Sequence, residues 1–205
     1  MRHGSLMRLG VALTLVIAVG ACRSGPDQAA PASAAASQAP ISTQPLYLCC
    51  NVRTETDWLS DGGFLVGRII PAGTPVKHLG TSRSVANVEI DGKRFRLGNE
   101  FGVRAEPTEQ WLKKVLVTTD PTAKINAYPA SVQTALRSGK IARGMSKDQV
   151  VIALGHPPAH ATGSLDALEW TYMANRWVRY TVQFDQNGRV RDVNAGGWRD
   201  SLLLP

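Results

Sequence analysis

The sequence predicts an α+β protein with two folded parts, and three observations lead there. Between residues 46 and 97, short apolar or alternating runs are split at close intervals by turn residues. Two short helical patterns follow Pro129, and period-two alternation then fills the chain from Leu168 to Val193. The chain has 205 residues, 43% of them hydrophobic, which is enough for two small cores rather than one large one.

In chain order, Arg2 and Arg8 precede an apolar run from Leu9 to Val19, followed by the small residues Gly20 and Ala21 and then Cys22. A basic start, an apolar core too short to span a bilayer comfortably and a small-residue cut site predict a secretory leader over residues 1–21. Val19-Gly20-Ala21-Cys22 resembles the bacterial lipobox. That resemblance implies cleavage before Cys22, a diacylglyceryl group on its sulfur and N-acylation, so that palmitate-like chains hold the protein to a membrane. Each buried CH₂ contributes about 0.8 kcal/mol, so several chains make residence stable. Arg23, rather than Asp, follows the cysteine and implies sorting to the outer membrane, with the folded parts facing the periplasm. The alternative is a secreted protein whose cysteine merely lies near its cut site. Residues 22–45, rich in Ala, Pro, Ser and Gln, lack the large apolar side chains a core needs and are expected to form a disordered tether.

Runs at 46–52, 64–70, 76–79, 85–90 and 95–97 predict five strands, separated by Asp61-Gly62-Gly63, Pro71-Ala72-Gly73 and Asp91-Gly92. Asp91-Gly92 is the strongest hairpin signal, because a two-residue loop demands a positive φ that glycine tolerates. Five close strands predict a small barrel over 46–104, or else a β-rich extension packed on the second part. PAGTPVKHL followed by VEIDGKRFRL resembles bacterial SH3-like domains.

Residues 105–128 are expected to connect the two parts. PTEQWLKK has helical composition with proline at its start, Val115-Leu116-Val117 is a strand or the end of that helix, and Asp120-Pro121 breaks the pattern. Pro129 opens a helix over 130–138, with Val132, Ala135 and Leu136 on one face and Gly139 at its end. Ser146 and Gln149 form a capping box for a second helix, which carries Val150, Val151 and Leu154 and stops at Gly155 before Pro157-Pro158. Leu168, Trp170 and Tyr172, then Val178, Tyr180, Val182 and Phe184, alternate with polar neighbours as strands do, and Asn187-Gly188 supplies a turn.

The order Gly144-Met145-Ser146-x-x-Gln149-Val150, Leu154-Gly155-x-Pro157-Pro158, Trp170-x-Tyr172 and Val182-x-Phe184-Asp185-x-x-Gly188-Arg189-Val190 resembles the SmpA/OmlA lipoprotein domain, the family that includes BamE. The match covers about the last third of the chain. It implies a two-layer domain over 129–196, two helices against an antiparallel sheet of about three strands, which binds protein partners in the bacterial envelope and catalyses nothing. The tail, residues 197–205, is apolar at Leu202-Leu203-Leu204 and either docks on the body or forms a second contact point.

The formal charge is +7; Arg2 and Arg8 would leave with the leader, so 21 basic residues face 16 acidic ones, a balance of +5. This suits anionic head groups or an acidic partner. The basic residues are scattered and no nucleic-acid motif accompanies them, so no nucleic-acid partner is expected. No glycine-rich loop has the context of a phosphate site. No cofactor is expected beyond the covalent lipid on Cys22.

Cys49 and Cys50 stand next to each other in a predicted strand, so one should point inward and one outward. They could form a vicinal disulfide, pair between molecules, or stay as thiols with one buried. A catalytic thiol would need a nearby base, and His78 is the only histidine in that part. His156 and His160 have the i, i+4 spacing of a helical metal pair, but Pro157-Pro158 forbids that helix; they read as exposed loop residues, and no metal is expected. Asp166 and Glu169 read as solubilising residues rather than an acid/base pair. No catalytic residue is expected.

What remains is surface. If Val178, Tyr180, Val182 and Phe184 face the core, then Trp177, Arg179, Thr181 and Gln183 face outward, and Thr171 and Glu169 extend that face from the neighbouring strand. Trp and Arg dominate protein interfaces because each joins a large apolar area to a polar handle. The other reading folds Trp177 over the sheet edge. The sequence therefore predicts a non-enzymatic outer-membrane lipoprotein that acts as a protein-binding scaffold in envelope maintenance, in one version an accessory to outer-membrane β-barrel assembly. The rivals are a peptidoglycan-binding tether and a periplasmic inhibitor of a hydrolase.

Overall fold

The structure is a computed structural model that describes residues 44–82, 84–100 and 106–205. The expected leader, Cys22 and the tether up to Thr43 lie outside the described residues.

The β-rich part contains β1 (Leu46–Leu48), β2 (Val52–Thr54), β3 (Trp58–Ser60), β4 (Arg68–Ile70), β5 (Pro75–Ser82), β6 (Val85–Ile90) and β7 (Lys93–Gly98). Strands β5, β6 and β7 form an antiparallel meander. The turn between β6 and β7 is the expected one, with both Asp91 (φ 50°) and Gly92 (φ 73°) in the left-handed region that a two-residue loop demands. β1 pairs with β5, and β3 lies parallel to β7. Helix α1 (Thr108–Val115) then leads into β8 (Leu116–Val117), which adds beside β1, so the six-stranded half-barrel runs β3-β7-β6-β5-β1-β8. β2 and β4 form a separate two-stranded ribbon.

Three expectations change here. The run 46–52 is not one strand: Cys49 and Cys50 form a bend, and the chain leaves the six-stranded sheet for the ribbon. Of the run 64–70 only Arg68–Ile70 is strand, whereas Trp58–Ser60, which has no alternating signal, pairs with β7 with help from Arg96, whose guanidinium grips Asp57 through two bonds of 2.9 and 3.1 Å. Residues 105–128 do more than connect, since Trp111 and Val115 of α1 are buried in one core with Leu48, Leu59, Val88 and Leu97. Each large side chain buried there contributes about 1.5–3 kcal/mol.

After a short helix α2 (Thr122–Asn126) come α3 (Ala130–Arg137) and α4 (Lys147–Leu154), then β9 (Glu169–Met173), β10 (Arg179–Phe184) and β11 (Val190–Asn194). The three strands form an antiparallel sheet in the order β11-β10-β9. This is the expected layering of two helices and three strands. The capping box is formed in both directions: Gln149 N donates to Ser146 Oγ at 3.3 Å and Ser146 N to Gln149 Oε1 at 2.8 Å. Gly155 ends α4. Trp170, Tyr172, Tyr180, Val182 and Phe184 fill the space between sheet and helices, with Trp170 edge-on to Phe184 and Tyr172 stacked on Tyr180.

Leu168 and Val178, expected on the buried face, are exposed because both lie just outside the strands. The turn from β10 to β11 is wider than Asn187-Gly188 alone: Asp185 Oδ1 accepts from both Asn187 N and Arg189 N at 2.9 Å. The tail docks. A single 3₁₀ turn (Gly196–Trp198) leads to α5 (Arg199–Leu202), and Leu202 and Leu203 bury their side chains in the C-terminal core.

Candidate partner-binding site

Alternation puts Arg179, Thr181 and Gln183 of β10 and Glu169 and Thr171 of β9 on the face turned away from the helices, as expected. They do not make one patch with Trp177. Arg179 stands opposite Met173, whereas Glu169 stands opposite Gln183 at the far end of the ladder and accepts from Gln183 Nε2 at 3.1 Å. Four residues of strand separate them, about 13 Å. Thr171 is an edge position whose backbone is already satisfied: its N–H donates to Thr162 Oγ1 at 2.8 Å and its carbonyl accepts from that hydroxyl at 3.1 Å.

Trp177 is not on a strand. It lies in the turn from β9 to β10, where Asn175 Oδ1 accepts from the backbone N–H of both Trp177 and Val178 at 2.8 and 2.9 Å. That side-chain bridge leaves the indole outside the pleat, 85% exposed, with the exposed Val178 beside it. Arg176, on its other side, pairs with Glu100 of the β-rich part. The turn thus presents an exposed indole beside Val178, with Arg176 next to it in sequence tied back to the body. Such a surface has apolar area and polar handles but no reactive group.

A second constellation, which the sequence did not signal, joins the β-rich part to the C-terminal helices. Asn51, at the start of the ribbon and buried, donates from Nδ2 to Leu136 O at 2.7 Å and Ala153 O at 3.1 Å; its Oδ1 accepts from Ala72 N at 3.0 Å and its own N–H donates to Ile152 O at 2.9 Å. Two residues on, Arg53 Nη2 donates to Gly139 O at 3.3 Å. Gly139 sits at φ +59°, a backbone conformation that strains any other residue, while the atoms nearest a Cβ there, Ile69 Cδ1 and Arg53 Nη2, are ends of flexible side chains. Burial pulls the Arg53 guanidinium below its ordinary value, with Tyr180 opposing; burial pushes the Tyr180 phenol far up, with Arg53 opposing.

Beside this junction lies a cavity of about 230 Å³, lined by Cys50, Trp58, Asp61, Phe64, Trp111 and His156 among others. Asp61 is buried and its Oδ1 accepts from Glu100 N at 2.6 Å. Glu100 Oε2 accepts from Trp58 Nε1 at 3.0 Å. Burial holds the Asp61 carboxyl above its ordinary range. His156 is not an exposed loop residue: it is half-buried where α4 ends, burial and then Lys114 push it below its ordinary value, and Nδ1 is buried without a partner among the described residues. Cys49 and Cys50 are joined as a vicinal disulfide, with Cys50 buried. Among the described residues no group of three or more His, Cys, Asp or Glu side chains is placed to hold a metal ion, and no helix is long and apolar enough to cross a membrane.

A search of curated proteins and one of solved structures each found no match to the chain. Residues 134–194 match the family described as the outer membrane protein assembly factor BamE domain, a span that runs from within α3 to the last residue of β11. Helix α4 with its two-way capping box, the three strands and the stacked aromatic core all fall inside it, so over these residues the C-terminal part of the chain is similar to BamE (SmpA/OmlA) domains.

Proposed function

We propose that the protein is an outer-membrane lipoprotein, acylated at Cys22 and facing the periplasm, that serves as a non-enzymatic scaffold for an envelope protein and assists outer-membrane β-barrel assembly. The family match at 134–194 carries this reading. The turn holding Trp177 supports it, because an indole 85% exposed, with Arg176 and Arg179 near it in sequence, has the composition of an interface anchor and no evident role in the fold. Trp177 and Arg179 would make the contact, while Thr171 and Glu169 lie farther along the outward face of the sheet and would stand outside it.

The test is a photoreactive residue in place of Trp177 in intact cells. The reading predicts one dominant adduct with an envelope protein and its loss in Arg179→Glu. It is wrong if no adduct forms while labelled palmitate enters the wild-type protein and not Cys22→Ala, because the protein would then be correctly placed and yet not engaged.

A further inference from the structure

The cavity between the β-rich part and the C-terminal domain is a built site, apolar over much of its lining with a few polar groups set into it. Its apolar walls include Phe64, Leu65 and Trp111, and its volume of about 230 Å³ exceeds the roughly 150 Å³ that suffices for benzene. One buried ionisable group, Asp61, lines it, 6% exposed. Its Oδ1 holds the Glu100 backbone N–H. Glu100 lines the same cavity, and its carboxylate is already committed to Trp58 and Arg176. Glu106, the other charge felt at Asp61, is also a carboxylate and is bridged to Lys114 at 2.7 Å. Among the described residues no cation pairs with Asp61. A buried carboxylate among carboxylates is costly unless a cation joins it. His156 is on the same lining, half-buried, and so is Arg53, whose Nη2 is turned to Gly139 O at 3.3 Å.

We propose that this cavity binds a primary ammonium group on a short aliphatic stem, with the ammonium against the Asp61 carboxylate and the stem along Phe64, Leu65 and Trp111. An ammonium has three donors and no acceptor, which suits a carboxylate without a cation partner, and an aliphatic stem suits the apolar walls. The chemistry is shared by free diamines and by the side chain of a lysine-like residue in a peptide. This goes beyond the scaffold reading, because it concerns the junction and not the turn of Trp177.

The experiment titrates the purified soluble chain, beginning at Gln44, by calorimetry with 1,5-diaminopentane, N-acetyl-lysine amide, pentan-1-ol and pentanoate. Both amines should bind and the alcohol and acid should not; binding of the diamine alone assigns the site to free amines, binding of the lysine amide alone to peptide-borne ones. Asp61→Asn keeps the acceptor for Glu100 N and should weaken binding about tenfold or more. Thr56→Trp, on the exposed rim, should block binding while leaving Asp61 in place. The proposal is overturned if neither amine binds, if pentan-1-ol binds as well as the amines, or if Asp61→Asn binds them unchanged. Unaltered circular dichroism of both variants excludes loss of fold as the cause.

Discussion

Asn51 Nδ2 lies 2.7 Å from the carbonyl oxygen of Leu136, so a side chain from the β-rich part closes the last turn of a C-terminal helix. The same amide reaches Ala153 O in the other helix, and its oxygen holds Ala72 N. One residue thereby fixes α3, α4 and the loop after β4 to one another. Asn51→Ala would remove a partner from three backbone groups, the carbonyls of buried Leu136 and Ala153 and the half-buried Ala72 N–H, at a cost of about 2–4 kcal/mol. Asn51→Asp should cost at least as much, because a carboxylate offers no donor to the two carbonyls. Urea midpoints of the two variants against wild type check both statements; a shift of the size expected for a surface change would refute them.

The capping box makes a second, smaller prediction. Ser146→Ala removes an acceptor for Gln149 N and should cost about 1 kcal/mol. Gln149→Ala removes the reciprocal bond to Ser146 N. Because the two bonds support one turn, the double variant should lose less than the two single losses combined. Strict additivity in a double-mutant cycle would show that the two halves do not act together.

These two sites differ in how readable they were. The box was legible because Ser146 and Gln149 are three residues apart and a helix start uses local spacing alone; the same holds for Asp91-Gly92 and for the alternation from Trp170 to Phe184. Asn51 was not legible, since it falls inside the run 46–52 that reads as one strand and its partners lie 85 and 102 positions away. Strand β3 was missed for a similar reason: a parallel pairing to a strand about 40 residues on leaves no local mark. Trp177 was read one element off because alternation was carried past the end of β10 into a turn that Asn175 holds. Local signals named the elements, but the junction and the cavity depend on pairs that no window of sequence contains.

The docked tail should contribute to stability. Leu202 is fully buried, Ile141 N donates to Leu202 O and Leu204 N to Ile141 O, each at 2.8 Å. Leu202→Ala should cost about 2–5 kcal/mol, as for other buried leucines. Deleting residues 202–205 should cost more, since it also leaves Ile141 without its backbone partners. A thermal scan of both decides it; an unchanged midpoint would mean that the tail is a separate contact surface after all.

The last prediction concerns acid. His156 is held below its ordinary 6.5, first by burial and then by Lys114, with Glu106 opposing. The folded state therefore prefers the neutral ring. Its contribution is present above pH 6.5 and is lost as pH falls through the depressed folded value. Asp61 has the opposite sign: burial, with Glu100 and Glu106 adding to it against the Glu100 N–H, holds it above its ordinary 3.8. The folded state binds that proton more tightly, so its contribution is present below 3.8 and is lost as pH rises through the raised folded value. As pH falls from neutrality, His156 should lower stability and Asp61 should partly restore it. Urea midpoints measured from about pH 4 to about pH 8 should show His156→Gln flattening the loss that begins near 6.5, and Asp61→Asn abolishing the recovery at the acid end. If the His156→Gln curve runs parallel to wild type throughout, the imidazole does not titrate between the two parts and the acid response has another origin.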